Sequence, residues 1–124
     1  MCQMIGLFWN IRGLGKIGRL PALVSRIKES HADIIGIMET KKENFTSGYL
    51  KSLTGLAPFD WTFLPSSGSA GGILVGANSD CYTLIVGDIL NFSISVSLLD
   101  KKTGFSRKLV VVCGSHMKQG NNPF

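Results

Sequence analysis

The chain has 124 residues, is 44% hydrophobic and carries a formal net charge of +5, which suits one small domain with a core and excludes a disordered tail. Its longest apolar runs, such as Leu109 to Cys113 and Leu84 to Val86, fall far short of the roughly 18 to 20 residues that a membrane span needs, so a soluble protein is expected. The basic balance favours a polyanionic partner, because cations gathered on one face displace counterions from phosphates.

The first residues, Met1 to Trp9, hold no charge and lead into a glycine-rich turn. A secretory signal would open on basic residues. Met4 to Trp9 reads instead as a strand covered on both faces, and therefore a central one. Next, Leu20, Leu23, Val24 and Ile27 recur at helical spacing, predicting an amphipathic helix over Arg19 to Ser30 with Pro21 tolerated in its first turn. Asp33 to Met38 gives a second buried strand. Strand, helix and strand in that order predict a right-handed parallel βαβ unit. Phe45, Tyr49, Leu50 and Leu53 predict a second helix, ended by Gly55, before a strand over Asp60 to Leu64.

Beyond that point Gly72 to Gly76, Tyr82 to Val86, Asn91 to Leu99 and Phe105 to Cys113 read as strands separated by short turns, hence antiparallel hairpins. In the third of these, Phe92, Ile94, Val96 and Leu98 alternate with Ser93, Ser95 and Ser97, so one face is covered and the other is wet. The expected fold is a layered α/β domain over residues 1–115, parallel at its start and antiparallel afterwards, followed by an irregular tail over 116–124. The last strand has no following helix to cover its sheet, so the chain reads as interrupted and prone to self-association.

Three cysteines, Cys2, Cys81 and Cys113, lack CxxC spacing and nearby histidines. That argues against a zinc site or a disulfide framework, and reduced thiols are expected. Gly13, Gly15 and Gly18 form GxGxxG between a strand and a helix, with Glu39 where a ribose-binding acid would stand. Against a dinucleotide site stand Asn10 and Arg12 before the first glycine, Pro21 close behind, and the lack of further βα units.

Asn10 and Glu39 are better taken together, since each ends one strand of the same parallel unit. The two side chains should meet at the carboxyl edge of the sheet, where α/β folds place ligands. A glutamate there suits Mg²⁺, which takes one or two protein carboxylates and completes its shell with water and phosphate oxygens. The same residues serve equally well in local roles, Asn10 opening an Asx turn and Glu39 capping the next segment. Arg12, Lys16, Arg19, Lys41 and Lys42 flank the two strand ends and suit phosphate contacts as a group, although each alone reads as solvated surface charge. Phe59, Trp61 and Phe63 alternate along one strand and read as core. His31 and His116 show no orienting partner for general-base work.

Trp9-Asn10-Ile11-Arg12-Gly13-Leu14-Gly15, Asp33-Ile34-Ile35 with Glu39-Thr40-Lys41, Ser69-Ala70-Gly71-Gly72-Ile73-Leu74-Val75 and Val110-Val111-Val112-Cys113-Gly114 together resemble, in order and spacing, the endonuclease/exonuclease/phosphatase family. The nearest likeness is to the endonuclease domain of plant LINE-type (non-LTR) retrotransposons, and it covers Met4 to about Ser115. The resemblance implies part of a two-sheet, four-layer α/β sandwich of the DNase I-like type, and a Mg²⁺-dependent phosphodiesterase acting on DNA in an intracellular, nuclear setting. It implies that Glu39 is the metal-binding glutamate and Asn10 the asparagine beside the metal. Cys113 falls where the family usually has a tyrosine that approaches the scissile phosphate. The family's later Asp-x-Asn and Asp-His pairs have no counterpart. A fragment with little or no catalysis is therefore expected, binding DNA weakly through its backbone; a silent nucleic-acid-binding fragment is the alternative.

Overall fold

The computed structural model describes residues 2–67 and 71–113. Seven strands and two helices follow the order β1 (Gly6–Asn10), α1 (Arg19–Ser30), β2 (Ile34–Met38), α2 (Ser47–Thr54), β3 (Phe59–Leu64), β4 (Ile73–Asn78), β5 (Tyr82–Ile89), β6 (Ser93–Asp100) and β7 (Ser106–Val112). They form a mixed α/β fold of two sheets, one with the strand order β1-β2-β4-β3 and one with the order β5-β6-β7. Among the described residues no helix is long and apolar enough to cross a membrane.

β1 and β2 run parallel, with Asn10 opposite Met38, as the connection through α1 requires. β4 lies antiparallel to both β2 and β3. The helices cover one face of this sheet: Leu23 and Ile27 of α1 and Leu53 of α2 join Ile35, Ile37 and Leu74 in one buried cluster. Phe59, Trp61 and Phe63 pack against that cluster, as core residues should. Gly76 of β4 has no room for a larger side chain, since an added Cβ would come within 2.4 Å of the Trp61 ring. α2 is started by the Thr46 hydroxyl, which accepts from the Tyr49 amide at 3.1 Å, and ended by Gly55, whose φ of 66° suits the left-handed region.

The opposite face of the first sheet meets the second sheet. Ile34, Ile73 and Val75 pack there with Ile94, Val96, Leu98 and Val111. Alternation along β6 and β7 follows, with Ile94, Val96 and Val111 buried and Val110 and Val112 exposed at 53% and 44%. The described chain thus supplies strands to both sheets, and the apolar side of β7 is covered by the first. Water reaches the other side, where no helix among the described residues lies.

Two expectations need correction. β1 is the edge of its sheet, not its centre. Leu7 and Trp9 turn to the helices, whereas Phe8, on the opposite side, lays its ring over Gly36 near Val111 of β7 and stays 48% exposed. An apolar run records which faces are covered but not whether a strand has two neighbours. The cysteines differ as well, since Cys2 and Cys81 form a disulfide across 79 residues of sequence, with Cα atoms 5.7 Å apart. The N-terminal segment is brought to the β4–β5 turn because the buried Asp33 carboxylate accepts the Gln3 and Met4 amides at 2.9 and 3.1 Å. Cys113 remains a buried thiol.

Candidate active site

The parallel register carries Asn10 and Glu39 to the same end of adjoining strands. There the Asn10 amide nitrogen, Nδ2, donates to Oε2 of Glu39 at 2.9 Å. Glu39 is 9% exposed. The other amide atom, Asn10 Oδ1, is buried and has no hydrogen-bond partner among the described residues. An unsatisfied buried carbonyl costs about 1–3 kcal/mol, so such an atom beside a carboxylate marks a place where a ligand would relieve the deficit.

β4 closes the site from the other side through the two glycines before it. The Thr40 amide donates to the Gly72 carbonyl and the Lys41 amide to the Gly71 carbonyl, which clamps the Glu39 loop against the start of β4. A Cβ added at Gly71 would lie 3.1 Å from Glu39 Cα and Cγ and 3.4 Å from Cys113 Sγ. Glu39 and Cys113 therefore flank one glycine, and the end of β7 is brought to the ends of β1 and β2. Ser69 and Ala70, which open the quoted glycine-strand motif, and Gly114, which ends the last one, lie outside the described residues, as does His116.

The loops that shape this edge hold three non-glycine residues in the left-handed region, Arg12, Glu39 and Lys41, with φ of 57°, 55° and 59°. Such conformations persist only where surrounding contacts fix them, and they gather at functional sites. Here the contacts are visible. The amides of Ile11, Gly13 and Leu14 donate to the carbonyls of Met38, Glu39 and Thr40 at 3.0, 2.7 and 3.0 Å. The same bonds weigh against a dinucleotide site, because a pyrophosphate on the GxGxxG turn needs those amides turned toward it.

The flanking cations separate into two groups. Arg12, Lys16 and Lys41 are exposed, and the stems of Lys16 and Lys41 lie on either side of Gly13, 3.7 and 3.6 Å from where its Cβ would be. Arg19 instead donates to the Ile11 and Arg12 carbonyls, pinning the loop to α1. Lys42 sits 4.5 Å from the centre of the Tyr49 ring and 5.5 Å from that of Phe45, a cation–π role. His31 ends α1 in the left-handed region, at the opposite end of β2 from Glu39.

The oxygens of Glu39 and Asn10 are hard donors on adjoining side chains, and an octahedral Mg²⁺ that keeps most of its water needs no larger protein set. The Cys113 sulfur is a soft donor and adds little affinity for that ion. Among the described residues no group of three His, Cys, Asp or Glu side chains gathers for a metal. No protein-family model matches the sequence, and no curated protein matches it either.

Proposed function

We propose that this chain carries the metal-binding edge of a Mg²⁺-dependent phosphodiesterase domain acting on DNA, of the endonuclease/exonuclease/phosphatase type with a DNase I-like sandwich. The observation that carries the reading is the Asn10–Glu39 hydrogen bond with the unpartnered, buried Asn10 Oδ1 beside it. Glu39 would hold the ion. Asn10 fixes the carboxylate by its Nδ2 donation, and its Oδ1 would help hold the ion or accept from the ion's water. A bound Mg²⁺ supplies charge neutralisation at the phosphate and the leaving oxygen. Arg12, Lys16 and Lys41 hold the phosphate backbone near that edge. Cys113 offers a weak donor where a tyrosine hydroxyl would otherwise orient the phosphate, and no group that activates water stands beside Glu39 among the described residues. The expected state is therefore DNA binding with little or no cleavage.

Binding of Mn²⁺, a paramagnetic substitute for Mg²⁺, tests the site directly. Weak binding that disappears in Glu39→Gln is expected. Equal binding by parent and variant would remove Glu39 as a ligand. With Mg²⁺ and supercoiled plasmid, parent and Glu39→Ala should nick at the same rate; Glu39-dependent nicking would show that the residues present suffice for catalysis. The second reading, binding without any metal role, rests on the exposed Arg12, Lys16 and Lys41 around Gly13. It predicts DNA retention that falls with salt and is indifferent to Mg²⁺.

A further inference from the structure

The opposite end of the second sheet has a chemistry that the candidate active site does not use. The β6–β7 turn carries Lys101, Lys102 and Phe105, and the first residues of β7 carry Arg107 and Lys108; all are exposed, Phe105 at 66%. β7 separates this turn from Cys113 by about 20 Å, at roughly 3.3 Å per residue. The turn is well fixed. Asp100 donates its amide to the Phe105 carbonyl and accepts the Gly104 amide, each at 2.8 Å, while its Oδ1 accepts the amides of Lys102 and Thr103 at 2.8 and 3.2 Å. Lys101 Nζ donates to the Ser79 carbonyl at 2.6 Å, tying the turn to the β4–β5 connection.

Beside Phe105 is a hollow of about 310 Å³, lined by Tyr82, Leu98, Asp100, Phe105, Arg107 and Met4. Its volume suits one planar ring system. The Arg107 guanidinium lies 5.8 Å from the centre of the Phe105 ring, so an aromatic face and a cationic plane stand together at its rim. The acidic side chains nearby are Asp100, which is engaged with the turn, and the buried Asp33, which accepts the Gln3 and Met4 amides. Arg107, opposite Leu98 on the inner face of β7, thus stands at the rim with Lys101 and Lys102 on the adjoining turn, whereas Lys108, opposite Ser97, lies on the other face of the strand.

We propose that the β6–β7 turn binds single-stranded nucleic acid, one unstacked base entering the hollow against Phe105 and Arg107 while Lys101 and Lys102 take the flanking phosphates. Cations give such binding its strength and its salt dependence, and an aromatic ring accepts any base by its π face. A duplex keeps its bases stacked and has none to offer the hollow. The fixed turn presents Phe105 without an ordering cost on binding. This surface is independent of Glu39 and of the loops around Gly13.

The test is fluorescence anisotropy of a labelled 12-nucleotide oligothymidylate, with oligouridylate as the ribose counterpart, against the full chain. The parent should bind, Phe105→Ala should weaken binding about tenfold, and Phe105→Tyr should retain it. Lys102→Ala should weaken binding and make its salt dependence shallower. Lys28→Ala with Lys51→Ala, at exposed cations of α1 and α2, should leave it within twofold of the parent, which separates this surface from a response to net charge alone. Thermal melts of every variant should match the parent, since all the substituted side chains are exposed. Failure of the parent to bind, equal binding by Phe105→Ala, equal affinity for a blunt duplex of the same length, or stronger capture by phosphatidylserine vesicles would each overturn the proposal.

Discussion

The two sheets bury their strands in different ways. In the β1-β2-β4-β3 sheet both faces of β2 and β4 are covered, by the helices on one side and the second sheet on the other, and the strand sequences are nearly continuous apolar runs such as Ile34–Met38. Among the described residues only the inner face of the β5-β6-β7 sheet is covered, and β6 alternates serine with isoleucine, valine and leucine. Composition along a strand thus reports the number of covered faces. The covered sheet should govern stability and the bare face association.

The largest expected contrast is between core and bare-face substitutions. Ile35→Ala, at a fully buried position of β2, should lower unfolding free energy by about 2–5 kcal/mol. Val110→Ser on the bare face should change it by no more than about 0.5 kcal/mol, both read from denaturant melts. Val110→Lys with Val112→Lys should instead reduce self-association in sedimentation velocity, because charge on an exposed apolar face opposes packing between copies. Comparable destabilisation by Ile35→Ala and Val110→Ser would erase the distinction between the sheets.

Next in size is the disulfide, which joins the start of the covered sheet to the start of β5. Cys2→Ser should cost about 2–4 kcal/mol by releasing a long loop in the unfolded chain. Added reductant should lower the parent's melting temperature and leave the variant's unchanged. If reductant affects both alike, the cross-link is not the source of the loss.

The smallest effect is alkaline. Burial raises the Tyr82 hydroxyl above its ordinary value of 10.0, with the Asp33 and Asp100 charges adding to the rise and Arg107 opposing it. Burial alone raises Tyr49, on the helix side. In both the folded chain holds the proton more tightly than the unfolded chain does. Their stabilising contribution is complete below pH 10 and is lost as pH climbs through the raised folded values. Tyr82→Phe should make stability decline less steeply above pH 10 than in the parent, as measured by melts across that range.

Much of this arrangement is legible in the sequence, for physical reasons that also mark its limits. Leu20, Leu23, Val24 and Ile27 set α1 at Arg19–Ser30 because helix periodicity is local. The meeting of Asn10 with Glu39 follows from parallel strand direction alone. The edge position of β1 does not follow, because strand neighbours are chosen by the whole chain. Nor does the pairing of Cys2 with Cys81, since their approach depends on Asp33 drawing in the N-terminal amides. The roles of Gly71 and Gly72 were visible only as part of a motif; that they leave space for Glu39, Cys113 and Thr40 is a fact of packing. The cations at the edge looked equivalent in sequence, and only the fold sets Arg19 and Lys42 to structural work.

The left-handed backbone at Arg12 and Lys41 has an evolutionary consequence. A glycine at either position would relax the loop, and each non-glycine residue there forgoes as much as about 1 kcal/mol. A lineage drifting under selection for stability alone would be drawn toward glycine at both positions. Retention of long cationic side chains in that backbone would instead record selection for what those side chains touch. Homologous chains therefore carry a readout of their own: where the edge still serves a polyanion, positions 12 and 41 should keep their charge against the conformational gradient, and where it has fallen idle they should decay to glycine or asparagine first.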